Sequence, residues 1–217
     1  MTRRAPWIVT VEYALGLSAL AAALGINYWA GRLADTFGEG APILQDLFLS
    51  TLPVVDTQVI FVYGYGFFLA WLFTAVLLWE RRRAPYIAWS FALLIVVRSF
   101  FILLTPLHHP LAELPVAGDP LYEAIGRYLT FKHDLFFSSH TSTPFLAALI
   151  LRGRWVRRSF LAISLIMAAT VLLGRYHYSI DVFGAFFITY ALHKGEVRWF
   201  QPAYGRLKAR LTAVSSS

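Results

Sequence analysis

The chain has 217 residues, of which 58% are apolar and only 14% are charged, and its mean hydropathy is +0.59. This composition is typical of a membrane protein and excludes an ordinary soluble domain. Six crossings of about 20 residues each would leave only short loops, so we expect one integral membrane domain over residues 1–217. The absence of cysteine excludes disulfides and thiolate catalysis.

Six apolar windows predict an all-α protein with six transmembrane helices. They are residues 7–29, 57–79, 85–104, 135–151, 155–173 and 178–192. The first window also fits a cleavable signal peptide, although it is longer than a usual signal core. Polar residues interrupt the last three windows, and a spanning helix carries such residues where it faces protein or a wet cavity.

The net charge of +7 is divided unevenly between the two sets of loops. If the windows alternate in direction, 14 of the 19 Lys and Arg residues fall on one side, at the two termini and in the loops after the second and fourth windows. The positive-inside rule therefore predicts that both termini are cytoplasmic. Because these charges act as topology signals, we do not expect nucleic acid as a partner.

Three windows bring ionisable residues to one depth near the outer surface. Arg98 lies about six residues, or roughly 9 Å, from the outer end of the third window, and His140 lies a similar distance into the fourth. His177 and Asp181 open the sixth window. Charges inside a bilayer are costly and usually line a functional cavity, so we expect a shared site.

His177 and Asp181 are four residues apart and share one face of a helix that includes both. Asp181 can then accept the imidazole N–H, fix the tautomer and leave the other nitrogen free as a base or nucleophile. The alternative is a polar bridge that only packs helices.

The segment 134–144 is dense in polar groups, namely Asp134, Ser138, Ser139 and His140. Hydroxyls and free N–H groups at a helix start favour an anion, and Arg98 would neutralise charge, so the set can support phosphoryl transfer. Pro144 lacks the N–H that would bond the His140 carbonyl, which predicts an irregular turn there.

This chemistry requires no metal and no cofactor. A metal site remains an alternative, because His108, His109 and His133 share the outer loop with several acids.

These motifs resemble the type 2 phosphatidic acid phosphatase superfamily, and most closely its sphingomyelin-synthase-like branch. Residues 138–141, Ser-Ser-His-Thr, are similar to the family's Ser-Gly-His-Thr, and residues 177–182, His-Tyr-Ser-Ile-Asp-Val, are similar to its His-Tyr-Thr-x-Asp-Val. Residues 98–106 resemble the third-span Arg motif, and residues 118–123 loosely resemble the acid-bearing outer loop of that branch. The resemblance covers roughly residues 98–193.

The resemblance implies a six-helix membrane enzyme in which His140, His177 and Asp181 transfer a phosphate-bearing headgroup, with the identity of the nucleophile left open. Asp134 and Glu123 would complete the acid–base set, Asp134 by orienting a histidine or a choline-like cation. Arg98, Ser138 and Ser139 would bind phosphate. The implied partners are membrane lipids, with a phospholipid donor and ceramide, diacylglycerol or water as acceptor.

The sequence also departs from the classical phosphatase pattern. That pattern begins with Lys-x6-Arg-Pro and has Arg six residues before the second histidine, whereas no Lys precedes Arg98 here at that spacing and position 171 is Val171. A phosphodiester carries about one negative charge and a phosphomonoester nearly two, so a site with fewer cations favours a phosphodiester.

We therefore expect a lipid headgroup phosphotransferase or phospholipase-C-like hydrolase that acts on phosphodiester lipids at the outer leaflet. The expected location is a bacterial inner membrane, with the site facing the periplasm or exterior. One alternative is a lipid phosphate or polyprenyl-pyrophosphate phosphatase. Another is a transporter or membrane assembly factor whose buried His and Asp carry protons or hold helices together.

Overall fold

The computed structural model describes residues 6–116, 118–124, 126 and 130–202, and these residues form helices and loops without a β-strand. The predicted all-α class is confirmed. The helices are α1 Pro6–Phe37, α2 Leu47–Thr51, α3 Tyr65–Ala75, α4 Ala84–Leu104, α5 Pro120–Ala124, α6 Ser139–Ile150, α7 Arg154–Leu173 and α8 Ser179–Gly195. The basic residues expected at the termini, Arg3, Arg4, Arg206, Lys208 and Arg210, lie outside the described residues.

Short turns of other helical types extend or join these helices. π-helical turns cover Ile60–Gly64 before α3 and Val76–Glu80 after it, and a 3₁₀ turn covers Arg81–Arg83 before α4. A further π-helical turn, Glu196–Phe200, follows α8. The first two turns overlap the second apolar window, so the helical part of that window extends beyond α3 at both ends.

α1 and α4 pack side by side and run in the same direction. Near their starts, a Cβ on Gly16 would come within 3.0 Å of the Pro85 backbone, so only glycine permits this close approach without a shift. Near their ends, the Asn27 side-chain oxygen accepts from Arg98 at 3.4 Å. The same order of contacts along both helices establishes the parallel arrangement.

α3 and α6 run in the opposite direction to α1 and α4. At their starts, the Thr143 hydroxyl lies 3.3 Å from the Tyr65 hydroxyl. Beyond their ends, the backbone N–H of Arg152 donates to Glu80 at 2.7 Å. The second and fourth predicted windows therefore lie next to each other with the same orientation.

α7 returns along α3 and α6, and α8 reverses again. The Thr57 hydroxyl, just before α3, donates to the carbonyl of Thr170 near the end of α7. The Ser90 hydroxyl, near the start of α4, donates to Glu196 just after α8 at 2.6 Å. The six long helices thus alternate in direction. We call the end where α3, α6 and α8 begin the cavity end, and the other the opposite end.

Three stretches are long and apolar enough to cross a membrane, namely Thr10–Phe37, Ile60–Leu104 and Arg154–Leu173. Ile60–Leu104 has 45 residues because it includes both α3 and α4, which reverse direction around the Arg81–Arg83 turn. α6 and α8 have only 12 and 17 residues. The six-span topology therefore stays a prediction, and the alternation of the helices is consistent with it.

Candidate active site

A cavity of about 500 Å³ lies at the end of the bundle where α3, α6 and α8 begin, and it gives the cavity end its name. Its lining includes most of the predicted site residues, namely Arg98, Asp134, Ser139, His140 and His177. α4, the segment before α6, the first turn of α6 and the turn before α8 each contribute to this set. Residues far apart in the chain therefore meet around one space.

His177 and Asp181 are in contact, but not through the shared helical face that the sequence predicts. α8 begins at Ser179, so His177 precedes the helix. Asp181 lies in the first turn of α8, where its carboxylate accepts the N–H of Tyr178 at 2.9 Å and lies 3.3 Å from Nδ1 of His177. Asp181 is fully buried. Because the carboxylate faces Nδ1, Nε2 of His177 is left for a group in the cavity.

His140 is held by aromatic rings rather than by a carboxylate. Its ring stacks on Phe61 with centroids 4.1 Å apart and an interplanar angle of 18°, and it packs on Tyr65 at 4.4 Å. Phe61 also packs at 4.1 Å on Tyr176, the residue before His177. A row of rings therefore runs from His140 to Tyr176, the chain neighbour of His177.

Arg98 and Asp134 form a buried ion pair. The guanidinium contacts the two carboxylate oxygens at 2.5 Å and 3.0 Å, and its Nε donates to the carbonyl of Phe137 at 2.8 Å. The carboxylate neutralises much of the positive charge of Arg98, which the sequence analysis predicted would bind phosphate. In the described part of the chain Asp134 makes no hydrogen bond to a histidine ring, so its main partner is the arginine.

Two further cations line the cavity, and the sequence motifs did not mark them. Arg32 comes from the last turns of α1, and Lys132 precedes the Asp134 turn. Both are exposed, and neither forms an ion pair with another described residue. The nearby acid Asp35 accepts from the backbone N–H of His133 at 3.0 Å. Arg32 and Lys132 are therefore available to an anion.

The loop after α4 adds a second histidine–carboxylate pair, in which Nδ1 of His109 lies 3.1 Å from Glu113. Burial raises the pKa of Glu113 to about 7. Burial and the neighbouring imidazole of His177 lower the pKa of His109 to about 4. Between about pH 4 and pH 7 both side chains of the pair are therefore largely uncharged. Its spacing of four residues matches that of His177 and Asp181, a signal present in the sequence.

Ser138 and Glu123 are not among the residues that line the cavity. Ser138 precedes α6 and is fully buried, and its N–H donates to the carbonyl of Asp181 at 3.2 Å. It therefore joins the start of α6 to the first turn of α8. Glu123 lies exposed in α5 and accepts the N–H of Gly118 at 3.3 Å.

The irregular turn predicted at Pro144 is not observed. α6 continues unbroken from Ser139 to Ile150, with Pro144 inside it. The missing N–H removes one backbone hydrogen bond, and the Thr143 hydroxyl donates to the Ser139 carbonyl at 2.7 Å in the same turn. The helix therefore extends far enough toward the cavity to carry His140.

The loop histidines do not assemble a metal site in the residues that can be described. His108 and His133 pack ring against ring at 4.7 Å. Within the described ranges, no group of three or more His, Asp or Glu side chains is arranged to hold a metal ion.

Residues 133–196 match the protein family described as PAP2 superfamily C-terminal. This segment contains His140, His177 and Asp181, and it leaves out Arg98. No curated protein matches the chain. The family match and the three candidate spans indicate an integral membrane protein with phosphatase-type or phosphotransferase-type activity.

Proposed function

We propose that the protein transfers or hydrolyses the phosphate-bearing headgroup of phosphodiester lipids at the outer leaflet, through His140, His177 and Asp181. The observation that carries this proposal is the cavity lined by both imidazoles, one of them backed by a buried carboxylate. A histidine that attacks phosphorus gains positive charge, and a carboxylate on its other nitrogen stabilises that charge.

We assign the nucleophile to Nε2 of His177, because His177 has a carboxylate partner and His140 is packed against Phe61 and Tyr65. In the first step Nε2 bonds to phosphorus, the bond from phosphorus to the lipid oxygen breaks, and protonated His140 gives its proton to that oxygen. In the second step an acceptor hydroxyl bonds to phosphorus, its proton passes to His140, and the phosphorus–nitrogen bond breaks. Water, diacylglycerol or ceramide would serve as acceptor.

This assignment predicts a covalent adduct on His177 in which phosphorus bonds to Nε2 and still carries the headgroup. Rapid quenching followed by mass spectrometry of peptides from the protein, kept at alkaline pH because the bond between phosphorus and histidine nitrogen is acid-labile, should find the adduct there. Modification of His140 instead would reverse the two roles.

The charges of the cavity support a phosphodiester as substrate. Arg98 is neutralised by Asp134, Asp35 offsets one of the two remaining cations, and Glu113 is largely uncharged below about pH 7. Apart from the proton that His140 gives to the leaving oxygen, the described lining therefore has a net charge close to +1, which suits the single negative charge of a phosphodiester better than the two of a monoester.

A second candidate is the release of phosphate from a lipid phosphate or polyprenyl pyrophosphate. The observation that favours it is the pair of cations Arg32 and Lys132, which have no carboxylate partner among the described residues. If both contacted one phosphate, the cavity would accommodate a dianion.

Product analysis distinguishes these candidates. The purified protein would be incubated with mixed phospholipids, with lipid phosphates, and with added ceramide or diacylglycerol, followed by lipid mass spectrometry and an assay for inorganic phosphate. We expect diacylglycerol or an exchanged headgroup from the wild type and none from His177→Ala. His193→Ala is the matched control, because His193 lies near the opposite end of α8 and away from the cavity.

Each other outcome has a defined meaning. Inorganic phosphate as the only product would favour the second candidate. A folded wild type without lipid turnover would contradict the enzymatic proposal and favour a transporter or assembly factor. Equal turnover by His177→Ala and wild type would contradict the role of His177 in the reaction.

A further inference from the structure

We propose that a second, arginine-rich cavity at the opposite end of the protein binds the phosphate headgroup of an anionic membrane lipid. This cavity has a volume of about 630 Å³ and lies between the junction of α3 with α4 and the loop that joins α6 to α7. Five arginines line it, namely Arg81, Arg82, Arg83, Arg152 and Arg154. We call it the arginine cavity.

The arginine cavity carries more positive charge than its own acid can neutralise. Its carboxylate, Glu80, is buried, pairs with Arg83 at 2.9 Å and accepts the backbone N–H of Arg152 at 2.7 Å. The side chains of Arg81, Arg82 and Arg152 have no carboxylate partner among the described residues. An occupant with negative charge would complete the site.

Part of this charge is held in place by the fold. A second nitrogen of Arg83 donates to the carbonyl of Ile150 at the end of α6 at 3.0 Å, and Arg154 lies over the ring of Trp155 at 5.6 Å. Glu80 and Arg83 therefore tie the α3–α4 junction to the α6–α7 loop. The loops that carry the unpaired guanidinium groups are fixed relative to each other, which favours binding of a compact anion.

The rim of the arginine cavity is apolar, which favours a lipid over a soluble anion. Leu78, Trp79 and Trp155 belong to the lining and are 65%, 57% and 72% exposed. Exposed tryptophans are typical of the interface between water and lipid, and basic pockets beside spanning helices bind anionic headgroups. Guanidinium groups would contact the phosphate while the acyl chains follow the exposed apolar surface.

The arginine cavity is separate from the cavity that His140 and His177 line, which we call the histidine cavity, and it has no part in the proposed chemistry. Along α4, Arg98 lies 15 residues after Arg83, or roughly 22 Å at the rise of an α-helix. Along the α6 segment, 12 residues separate His140 from Arg152, or roughly 18 Å. A headgroup in one cavity therefore does not reach the other.

The test is native mass spectrometry of the purified protein in micelles with equal amounts of phosphatidylglycerol and phosphatidylcholine. We expect the wild type to retain phosphatidylglycerol selectively. The variant Arg81→Gln/Arg82→Gln/Arg152→Gln should bind it roughly 100-fold more weakly, because each of the three basic groups near a membrane surface contributes about fivefold.

The matched control is Arg158→Gln/Lys194→Gln/Arg198→Gln. It removes the same charge from exposed positions near the opposite end that do not line the arginine cavity. We expect it to retain phosphatidylglycerol as the wild type does. Equal losses in both triple variants, or equal retention of the two lipids by the wild type, would overturn the proposal.

A soluble competitor separates the two sources of a phosphate group. Glycerol phosphate lacks acyl chains, so it should not displace the lipid at equal concentration. If it does, the site binds a soluble phosphate and the lipid assignment is wrong.

A second measurement covers the case in which the arginine variant does not fold. Phosphatidylglycerol with brominated chains should quench the tryptophan fluorescence of the wild type more than brominated phosphatidylcholine does. The difference should disappear in Trp79→Phe/Trp155→Phe. An unchanged difference in that variant would place the lipid elsewhere and overturn the proposal.

Discussion

Asp181 connects the start of α8 to the proposed chemistry, because one carboxylate oxygen faces both the Tyr178 N–H and the His177 ring. Asp181→Asn keeps an oxygen for the backbone N–H but removes the negative charge behind the imidazole. We expect lipid turnover to fall by about 10²-fold to 10⁴-fold, the usual contribution of an acid–base group, with little change in the melting temperature. Lipid mass spectrometry and thermal unfolding measure the two quantities.

Ser179→Ala is the control for Asp181→Asn. It removes a hydroxyl at the start of the same helix, where Ser179 donates to Asp46 at 3.0 Å, without touching the imidazole. If Asp181→Asn retained near wild-type turnover, or if Ser179→Ala lost as much, the carboxylate would have no role in the chemistry.

The raised pKa of Glu113 predicts how the stability of the protein depends on pH. Its pKa of about 7 in the folded protein exceeds the ordinary 4.5, so its contribution to stability is fully present below pH 4.5 and is lost as pH rises through about 7. The pKa of His109 is lowered to about 4 from 6.5, so its contribution is present above pH 6.5 and is lost as pH falls through about 4. Between pH 4.5 and 6.5 the two contributions oppose each other.

In Glu113→Gln only the His109 contribution remains. We expect its melting temperature, relative to the wild type, to rise with pH between about 4.5 and 7. We also expect the wild-type KM for an anionic lipid to rise above about pH 7, where Glu113 becomes negative, and the variant to lack this rise. Glu123→Gln is the control, since it removes the same charge outside the cavity. Parallel curves for wild type and Glu113→Gln would contradict the pKa assignment.

At the scale of elements, the Arg98–Asp134 pair fixes the segment before α6 against α4. Both residues are buried, at 6% and 8% exposure. Asp134→Ala would leave a buried guanidinium without its partner, which typically costs roughly 3 to 5 kcal/mol. We expect a large fall in the melting temperature in detergent.

The double variant Arg98→Met/Asp134→Leu tests the reason for that fall. It removes both charges and replaces them with apolar side chains, so it should recover most of the lost stability. If it were as unstable as Asp134→Ala, packing rather than an unpaired charge would explain the effect. Turnover should stay low in both variants, because the segment that carries His140 depends on the pair.

The helices that carry the site residues could be predicted from the sequence in approximate position. Apolar runs set the approximate ends of the helices, so the common depth of Arg98, His140 and His177 followed from counting residues along each run. The contact of His177 with Asp181 was predicted through the wrong geometry, because capping places the helix start two residues after His177. A residue at the third position of a helix reaches back toward the preceding turn, which produces the same pair.

Other features of the site depend on contacts between distant segments and could not be predicted. The partner of Asp134 is 36 residues away in sequence, and either a histidine or an arginine was chemically reasonable. Arg32 and Lys132 belong to no motif, and they line one cavity because the last turns of α1 and the segment before α6 both reach it. By contrast, His109 and Glu113 have the same spacing as His177 and Asp181, so that pair could have been found from sequence.

At the scale of the whole molecule, the alternating helices separate two kinds of surface. The cavity end carries His140 and His177 together with acids such as Asp35 and Glu113, and the opposite end carries the arginine cavity. The first and last parts of the described chain lie at the same end as the arginine cavity. There the Tyr13 hydroxyl donates to the carbonyl of Arg81, and Gln201 donates to the Tyr86 hydroxyl at 2.8 Å. For a bundle with this arrangement, the positive-inside rule predicts that the basic end faces the cytoplasm.

This orientation can be measured directly, because the chain has no cysteine and a single introduced one reports its own side. Leu111→Cys places a thiol in the exposed loop at the cavity end, and Arg158→Cys places one near the start of α7 at the opposite end. We expect a membrane-impermeant maleimide to label Leu111→Cys in intact cells and Arg158→Cys only after permeabilisation. The reverse pattern would place the histidine cavity in the cytoplasm and exclude lipids of the outer leaflet as substrates. Labelling of both positions in intact cells would show that the helices between them do not cross the membrane.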